Sequence, residues 1–553
     1  MNKIKNALLY AQSFYRPQLT AVQLLGIWSV AIVLFYNGPF WQRSLGFLAP
    51  STYSQWISIG AFGLAIAALQ LLIFIPFTGA RTMRPVLIIL TLVTASVRYF
   101  SVEMGTYFDV HMMTNLLETD AHESGQLINS GLILSLTLWG VLPATLIWRC
   151  KIVHSQNKLQ SRWSAAIIAL LIFIAALLSS FQSFSPLLRN HKELRYLITP
   201  GNVLVALPRA LAGQAEKLTI KRSPIGTDAQ QRPTLAGEKP LLLVVVIGET
   251  QRAANWQLNG YERETTPNLA ARDDLISFRD VSSCGTSTAV SLPCMFSRYT
   301  RKTYQPSSAR GEQTLVDVIN TAGVGVEWID NQSGCKGVCS EVESDRIAKT
   351  RFPQLCADGE CLDEVLVHDL KEELAEETHR GNQLLVLHMM GSHGPSYYRR
   401  YPAENVRFMP DCRQDELSQC SQQEVVNAYD NTIAYSDRVL NALIETLSRH
   451  RAHHTALIYL SDHGESLGEM GLYLHGLPYF IAPEEQTKVP MFWWLSSGYL
   501  AAQKLDSECL DNAAMYPTSH DALLHSVLGL LNIETELYEP ELDPAAECRS
   551  ITD

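Results

Sequence analysis

The chain has 553 residues, of which 47% are hydrophobic and only 18% charged, with a formal net charge of −11 at neutral pH. That length exceeds one ordinary domain and predicts two or three. The negative balance, with no basic stripe along the sequence, excludes nucleic acid as a partner.

Five apolar runs come first: Leu19–Tyr36, Ile57–Phe77, Val86–Val97, Leu127–Trp148 and Trp163–Ser180. Most approach the roughly 20 residues that cross a bilayer. The third is short, and a buried or re-entrant helix is its alternative. Lys3, Lys5 and Arg16 precede the first run, Arg81 and Arg84 lie between the second and third, and Arg149, Lys151, Lys158 and Arg162 lie between the fourth and fifth. The other loops carry Glu103, Asp109, Glu118, Asp120 and Glu123 instead. This is the positive-inside pattern, with the N-terminus in the cytoplasm and the C-terminus outside. Four spans would leave basic loops on both sides. No small-residue cleavage site follows the first run, so it reads as an anchor rather than a removed signal peptide. Residues 1–182 are therefore expected to form a five-helix transmembrane domain.

Between 183 and 240 the pattern mixes. Arg189, His191, Lys192, Arg195 and Arg209 alternate with Leu194, Tyr196, Leu197, Val203, Leu204, Val205, Leu207 and Leu211. This predicts an interfacial helix lying on the bilayer, with an ordinary linker helix as the alternative. A polar stretch over about 223–240 follows.

From Leu241 the runs Leu241–Ile247, Val324–Ile329, Leu384–His388 and Ala456–Leu460 are short, apolar and without alternation, as in strands buried on both faces. Helical stretches Thr314–Ala322, Leu362–Glu377 and Gln423–Arg449 separate them. Residues 241–553 thus predict an α/β domain with a mainly parallel central sheet, whose sites form at the carboxyl ends of the strands.

Of the 11 cysteines, Cys150 stands alone near the end of the fourth run, and the rest follow the last run. An even set in a domain expected outside indicates disulfides from an oxidising compartment. Spacing suggests the neighbour pairs Cys284–Cys294, Cys335–Cys339, Cys356–Cys361, Cys412–Cys420 and Cys509–Cys548. A thiolate metal site is the weaker reading, because no paired C-x-x-C knuckles occur.

Glu249 and the pair Asp462-His463 each stand just past a buried strand, where a charge is costly unless coordinated or hydrogen-bonded. Two carboxylates and an imidazole suit zinc and leave one position for a reacting oxygen. Thr286-Ser287-Thr288 runs into a predicted helix whose free N–H groups and dipole favour an alkoxide or a phosphate. Metal coordination makes a threonine hydroxyl a strong nucleophile, yet chemistry alone leaves Thr286 and Thr288 both open. His393 and His475 sit in Gly/Pro-bounded loops and are candidates to protonate a leaving alkoxide, bind phosphate or hold a second metal. Lys336, in a loop held by cysteines, is a phosphate-binding candidate.

With these residues in view, the sequence resembles the lipid A phosphoethanolamine transferases, the group that includes the mobile colistin-resistance enzymes. The resemblance rests on Gly248-Glu249-Thr250, Ser283-Cys284-Gly285-Thr286-Ser287-Thr288, Asp330-Asn331, Gly391-Ser392-His393-Gly394-Pro395, Ser461-Asp462-His463-Gly464-Glu465 and Tyr473-Leu474-His475-Gly476. It implies a membrane anchor and a periplasmic domain of the alkaline phosphatase/sulfatase type. It also implies one zinc ion held by Glu249, Thr288, Asp462 and His463, with Thr288 as nucleophile and a second ion possible during turnover. Ser333, Lys336, His393 and His475 would bind substrate, and Asn115, Thr119 and Glu123 would contact the lipid head group. The implied reaction moves phosphoethanolamine from phosphatidylethanolamine to lipid A in a bacterial inner membrane, which would weaken binding of cationic peptides such as polymyxin. The alternatives are transfer to a core sugar of lipopolysaccharide (Kdo or heptose), a membrane-tethered phosphodiesterase or sulfatase, a glycerol-phosphate polymerase, and a non-catalytic membrane sensor that kept the fold.

Overall fold

The computed structural model describes residues 17–79, 81–119, 124–125, 127–153, 157–217, 220–232, 239–347, 350–357, 359–375 and 381–549. Lys3, Lys5, Arg16, Asp120 and Glu123 lie outside the described residues. The chain divides into two compact units, residues 1–113 with 128–208 and residues 114–127 with 209–553.

In the first unit, Tyr53–Phe77, Met83–Glu103, Ser130–Arg149 and Leu159–Asn190 are long and apolar enough to cross a membrane. The short third run belongs to the helix Met83–Glu103, so the polar residues flanking Val86–Val97 are helical too. The first run forms the helix Ala21–Tyr36, and a second helix beyond it, Gly38–Leu48, meets it at 62°. The break falls at Asn37-Gly38-Pro39, where glycine favours non-helical backbone and proline lacks an N–H. Asn37 is buried and satisfies part of the broken ladder: its Nδ2 donates to Ile32 O at 2.9 Å. The helix of the last run does not stop at 182. It continues to Asn190, and a separate helix, Gly201–Lys217, follows a short 3-10 turn.

The second unit is built on a seven-stranded sheet. In chain order its strands are β1 (Leu241–Gly248), β2 (Leu275–Phe278), β3 (Gly325–Asp330), β4 (Glu343–Arg346), β5 (Gln383–His388), β6 (His454–Ser461) and β7 (Met491–Leu495). They lie in the order β2-β7-β6-β1-β5-β3-β4. The neighbours from β6 through β1, β5 and β3 to β4 are parallel, whereas β7 and β2 close one edge antiparallel. Every residue of β1 is buried. Leu241, Leu243, Val245 and Ile247 join the core on one face of the sheet, and Leu242, Val244 and Val246 join the core on the other. That explains an apolar run without alternation. At about 1.5–3 kcal/mol for each fully buried aliphatic side chain, these strands are held firmly, and their carboxyl ends form a rigid platform. Cys284–Cys294, Cys335–Cys339, Cys356–Cys361, Cys412–Cys420 and Cys509–Cys548 are bonded, and Cys150 is a buried free thiol.

Candidate active site

Glu249 follows β1 and Asp462-His463 follows β6, the strand beside it, so the sheet sets them together. All three side chains are fully buried. One ligand atom from each lies within 4.8 Å of the others, close enough to share an ion. His463 Nε2 stands 3.5 Å from both Glu249 Oε1 and Asp462 Oδ2. Its Nδ1 is 2.9 Å from Gly464 O, which places the proton on Nδ1 and leaves Nε2 as a lone-pair donor.

Thr288 completes the group as the first residue of the helix Thr288–Met295. Its Oγ1 lies 3.2 and 3.1 Å from the two Glu249 carboxylate oxygens and 3.3 Å from His463 Nε2. Thr286 is engaged elsewhere: its hydroxyl donates to Leu477 O at 2.6 Å. The Cys284–Cys294 bond straps the preceding loop to this helix.

The backbone around Glu249 and Asp462 is strained. Thr250 has φ +59, a left-handed conformation rare for a β-branched residue. In that conformation its N–H points at Asp462 Oδ1 (3.1 Å) and its hydroxyl at Glu249 Oε1 (2.5 Å). The His463 N–H also donates to Asp462 Oδ1, at 2.7 Å. Gly391 approaches from the loop after β5 with φ +55; a Cβ there would stand 2.5 Å from Glu249 O. Gln332, two residues past β3, donates to Glu249 Oε2 at 2.9 Å.

A fit to zinc can be tested on Asp462. Its Oδ1 takes two backbone N–H bonds, while the buried Oδ2 has no hydrogen-bond partner among the described residues. An orphaned carboxylate oxygen inside a protein is costly unless a cation meets it. The electrostatics agree. Burial pushes the Glu249 carboxyl up, and positive charge beside it, such as a protonated His463 or His393 would carry, pulls it down. Asp462, by contrast, is pushed up by burial and by the Glu249 charge. Two carboxylates and an imidazole converging on one hydroxyl suit a tetrahedral divalent ion.

Around Thr288 a narrow cleft is lined by Asn115, Glu118, Thr119, Gln332, Ser333, Lys336, His393 and His475. Lys336 Nζ donates to Ser333 Oγ at 2.7 Å. The His475 ring stands 4.4 Å from that of His463 and 6.3 Å from that of His393, measured between centroids. Its Nδ1 is held 3.0 Å from the buried carboxylate of Glu465, which also accepts the Tyr397 hydroxyl at 2.6 Å. The structure thus brings Asn115, Thr119, Ser333, Lys336, His393 and His475 to the Thr288 cleft; Glu123 lies outside the described residues. Sequence reasoning assigned no role to Gln332, Glu118 or Glu465. The signal for Gln332 was its place in the loop between Asp330 and Lys336, and for Glu465 its position two residues past His463.

Comparison with known proteins gives matches over both units. Residues 242–533 match the Sulfatase family model, and residues 66–215 match the family described as phosphoethanolamine transferase EptA/EptB. The phosphoethanolamine transferase EptA of Escherichia coli (strain K12) is 39% identical over 477 residues, covering 85% of this chain and 86% of that protein. The phosphatidylethanolamine transferase Mcr-2 of Escherichia coli is 32% identical over 535 residues, covering 94% and 97%. Among solved structures, the integral membrane lipooligosaccharide phosphoethanolamine transferase A (EptA) of Neisseria meningitidis superposes with a TM-score of 0.91 at 34% identity. It covers 96% of this chain and 99% of its own.

Proposed function

The chain belongs to the EptA/EptB phosphoethanolamine transferase family, on a sulfatase-type catalytic fold, and we propose that it moves phosphoethanolamine from phosphatidylethanolamine to lipid A through a covalent intermediate on Thr288. One observation carries this reading: a single hydroxyl, Thr288 Oγ1, meets Glu249 and His463 at 3.1–3.3 Å beside the orphaned Asp462 oxygen. The donor is supported by Mcr-2, a phosphatidylethanolamine transferase, and the acceptor class by the lipooligosaccharide enzyme of Neisseria meningitidis.

Zinc bound by Glu249, Asp462, His463 and Thr288 would lower the pKa of the threonine hydroxyl and offset charge on the phosphoryl oxygens. Thr288 Oγ1 attacks the donor phosphorus; the Oγ–P bond forms, the P–O bond to diacylglycerol breaks, and diacylglycerol leaves with a proton. His393 or His475, both lining the cleft, supplies that proton. An oxygen of the acceptor then attacks the phosphorus; the new P–O bond forms, the Thr288 Oγ–P bond breaks, and the proton lost by the acceptor returns to Thr288 Oγ1. Glu465 and Tyr397 hold the His475 ring in orientation through this exchange. In this reading Lys336, Ser333, Asn115 and Thr119 bind the phosphoryl group and the head group, supported by their lining the same cleft as Thr288.

The N-terminus is cytoplasmic and the catalytic unit periplasmic in this reading, which is supported by the alternation of basic and acidic loops. The added amine reduces negative charge at the outer surface and lowers its affinity for cationic peptides such as polymyxin. The test is mass spectrometry of lipid A from cells with and without the protein. Added phosphoethanolamine on lipid A supports the reading. Phosphoethanolamine on Kdo or heptose alone would move the acceptor to the core, and release of only free phosphoethanolamine would make the protein a hydrolase.

A further inference from the structure

Behind the Thr288 helix lies a buried polar network that the transfer steps above do not use. His520 follows the short strand Thr518–Ser519, which pairs with Val281–Ser282, the segment leading into the Cys284 loop. Its ring is almost wholly buried. The Nε2 atom is 2.9 Å from the carbonyl of Ser461, the last residue of β6 and the neighbour of Asp462. Its Nδ1 accepts the N–H of Cys284 at 3.1 Å. A carbonyl only accepts and an amide N–H only donates, so these partners fix the tautomer with the proton on Nε2.

Ser291 joins the same network. It stands one turn along the helix from Thr288, so the two side chains share a face. Its hydroxyl donates to the carbonyl of Asp462 at 2.5 Å and lies 3.3 Å from His520 Nδ1. Two links therefore tie the nucleophile helix and its entry loop to the strand end that presents Asp462 and His463. Neither uses a ligand atom of the metal site.

We propose that His520, acting with Ser291, is a positioning residue for transfer: it sets the separation between Thr288 Oγ1 and the ligands Glu249, Asp462 and His463. The inference rests on the reading of Thr288 as the nucleophile. A shift of the helix by a fraction of an ångström would leave the carboxylates and imidazole in place but misalign the hydroxyl with the donor phosphorus.

The test compares His520→Leu, His520→Gln and Ser291→Ala in the full chain, assayed with phosphatidylethanolamine and lipid A. For each variant, zinc per protein, thermal unfolding, kcat and KM for the donor are measured. A glutamine amide places an acceptor and a donor about as far apart as the two imidazole nitrogens and can make both bonds. The inference expects His520→Leu to lose about 10–100-fold in kcat, with zinc content unchanged. It also expects a KM within about twofold of wild type, the signature of an interaction realised in the transition state. His520→Gln should recover most of the loss. Wild-type kcat in His520→Leu, or no recovery in His520→Gln, would overturn it. Should His520→Leu fail to fold, Ser291→Ala decides: a fall in kcat at unchanged zinc and melting temperature supports the inference, and wild-type kcat overturns it. Thr288→Ala runs in parallel. An active Thr288→Ala overturns the nucleophile itself, whereas an inactive one beside a fully active His520→Leu overturns the positioning role alone.

Discussion

Thr288 Oγ1 and Glu249 Oε2 stand 3.1 Å apart although 39 residues separate them in the chain. One lies at the start of a helix and the other at the end of a buried strand, so the contact is set by two rigid elements rather than by a loop. A hydroxyl held against a carboxylate in this way, with an imidazole nitrogen 3.3 Å away, is prepared to lose its proton.

Thr288→Ala should therefore lower transfer by about a thousandfold or more, since removing a nucleophile leaves only binding and electrostatic effects. Thr286→Ala should cost far less, because that hydroxyl is spent on the Leu477 carbonyl. Steady-state rates of the two variants with the same donor check this contrast.

Gln332→Ala should weaken zinc binding by about 10–100-fold, the usual cost of losing a group that orients a ligand. Its amide is bonded to Glu249 Oε2 at 2.9 Å. Competition with a chelator, read by metal analysis, measures the change; an unchanged affinity would remove Gln332 from the site.

Replacing Cys284 and Cys294 together by alanine should destabilise the catalytic unit by about 2–3 kcal/mol, as expected for a bridge closing a loop of this length. Because the loop leads directly into Thr288, activity should fall below what the lower melting temperature accounts for. Thermal unfolding and kcat measured below the transition separate the two effects.

Glu327 on β3 gives a pH dependence. Burial and the nearby Glu373 and Glu343 carboxylates raise its pKa to about 8. A carboxyl raised above its unfolded value contributes stability that is fully present below the unfolded pKa and lost as pH rises through the folded pKa. The loss attributable to Glu327 should therefore accumulate between about pH 4.5 and pH 8. Glu327→Gln should raise the melting temperature relative to wild type more at about pH 9 than at about pH 5. An equal difference at both pH values would contradict the assignment.

The four central strands were legible because burial on both faces makes a strand largely apolar, as β1 is throughout and β3 is apart from Glu327 and Asp330. The edges were not. Strand β4, Glu343-Ser344-Asp345-Arg346, is wholly exposed and polar, so no hydrophobic pattern marks it. Strand β7, Met491–Leu495, is apolar yet was not among the expected strands, and its antiparallel pairing is a matter of topology. The bend after the first apolar run is written in Asn37-Gly38-Pro39, just past the end of that run, and the helix Gly38–Leu48 beyond it was not expected. In the site, Glu249, Asp462 and His463 stood out as charges at the ends of buried strands. Choosing Thr288 over Thr286 depends on a carbonyl 191 residues further along the chain, which spacing cannot reveal. His520 carried no local signal, since its partners Ser461 and Cys284 meet it only through tertiary packing.

The most direct measurement is peptide-resolved mass spectrometry of the full chain after incubation with phosphatidylethanolamine labelled in the head group, without acceptor. The account predicts labelled phosphoethanolamine on Thr288, lost in Thr288→Ala and after zinc removal, and discharged when lipid A is added. Label on another residue, or undiminished transfer to lipid A by Thr288→Ala, would contradict it.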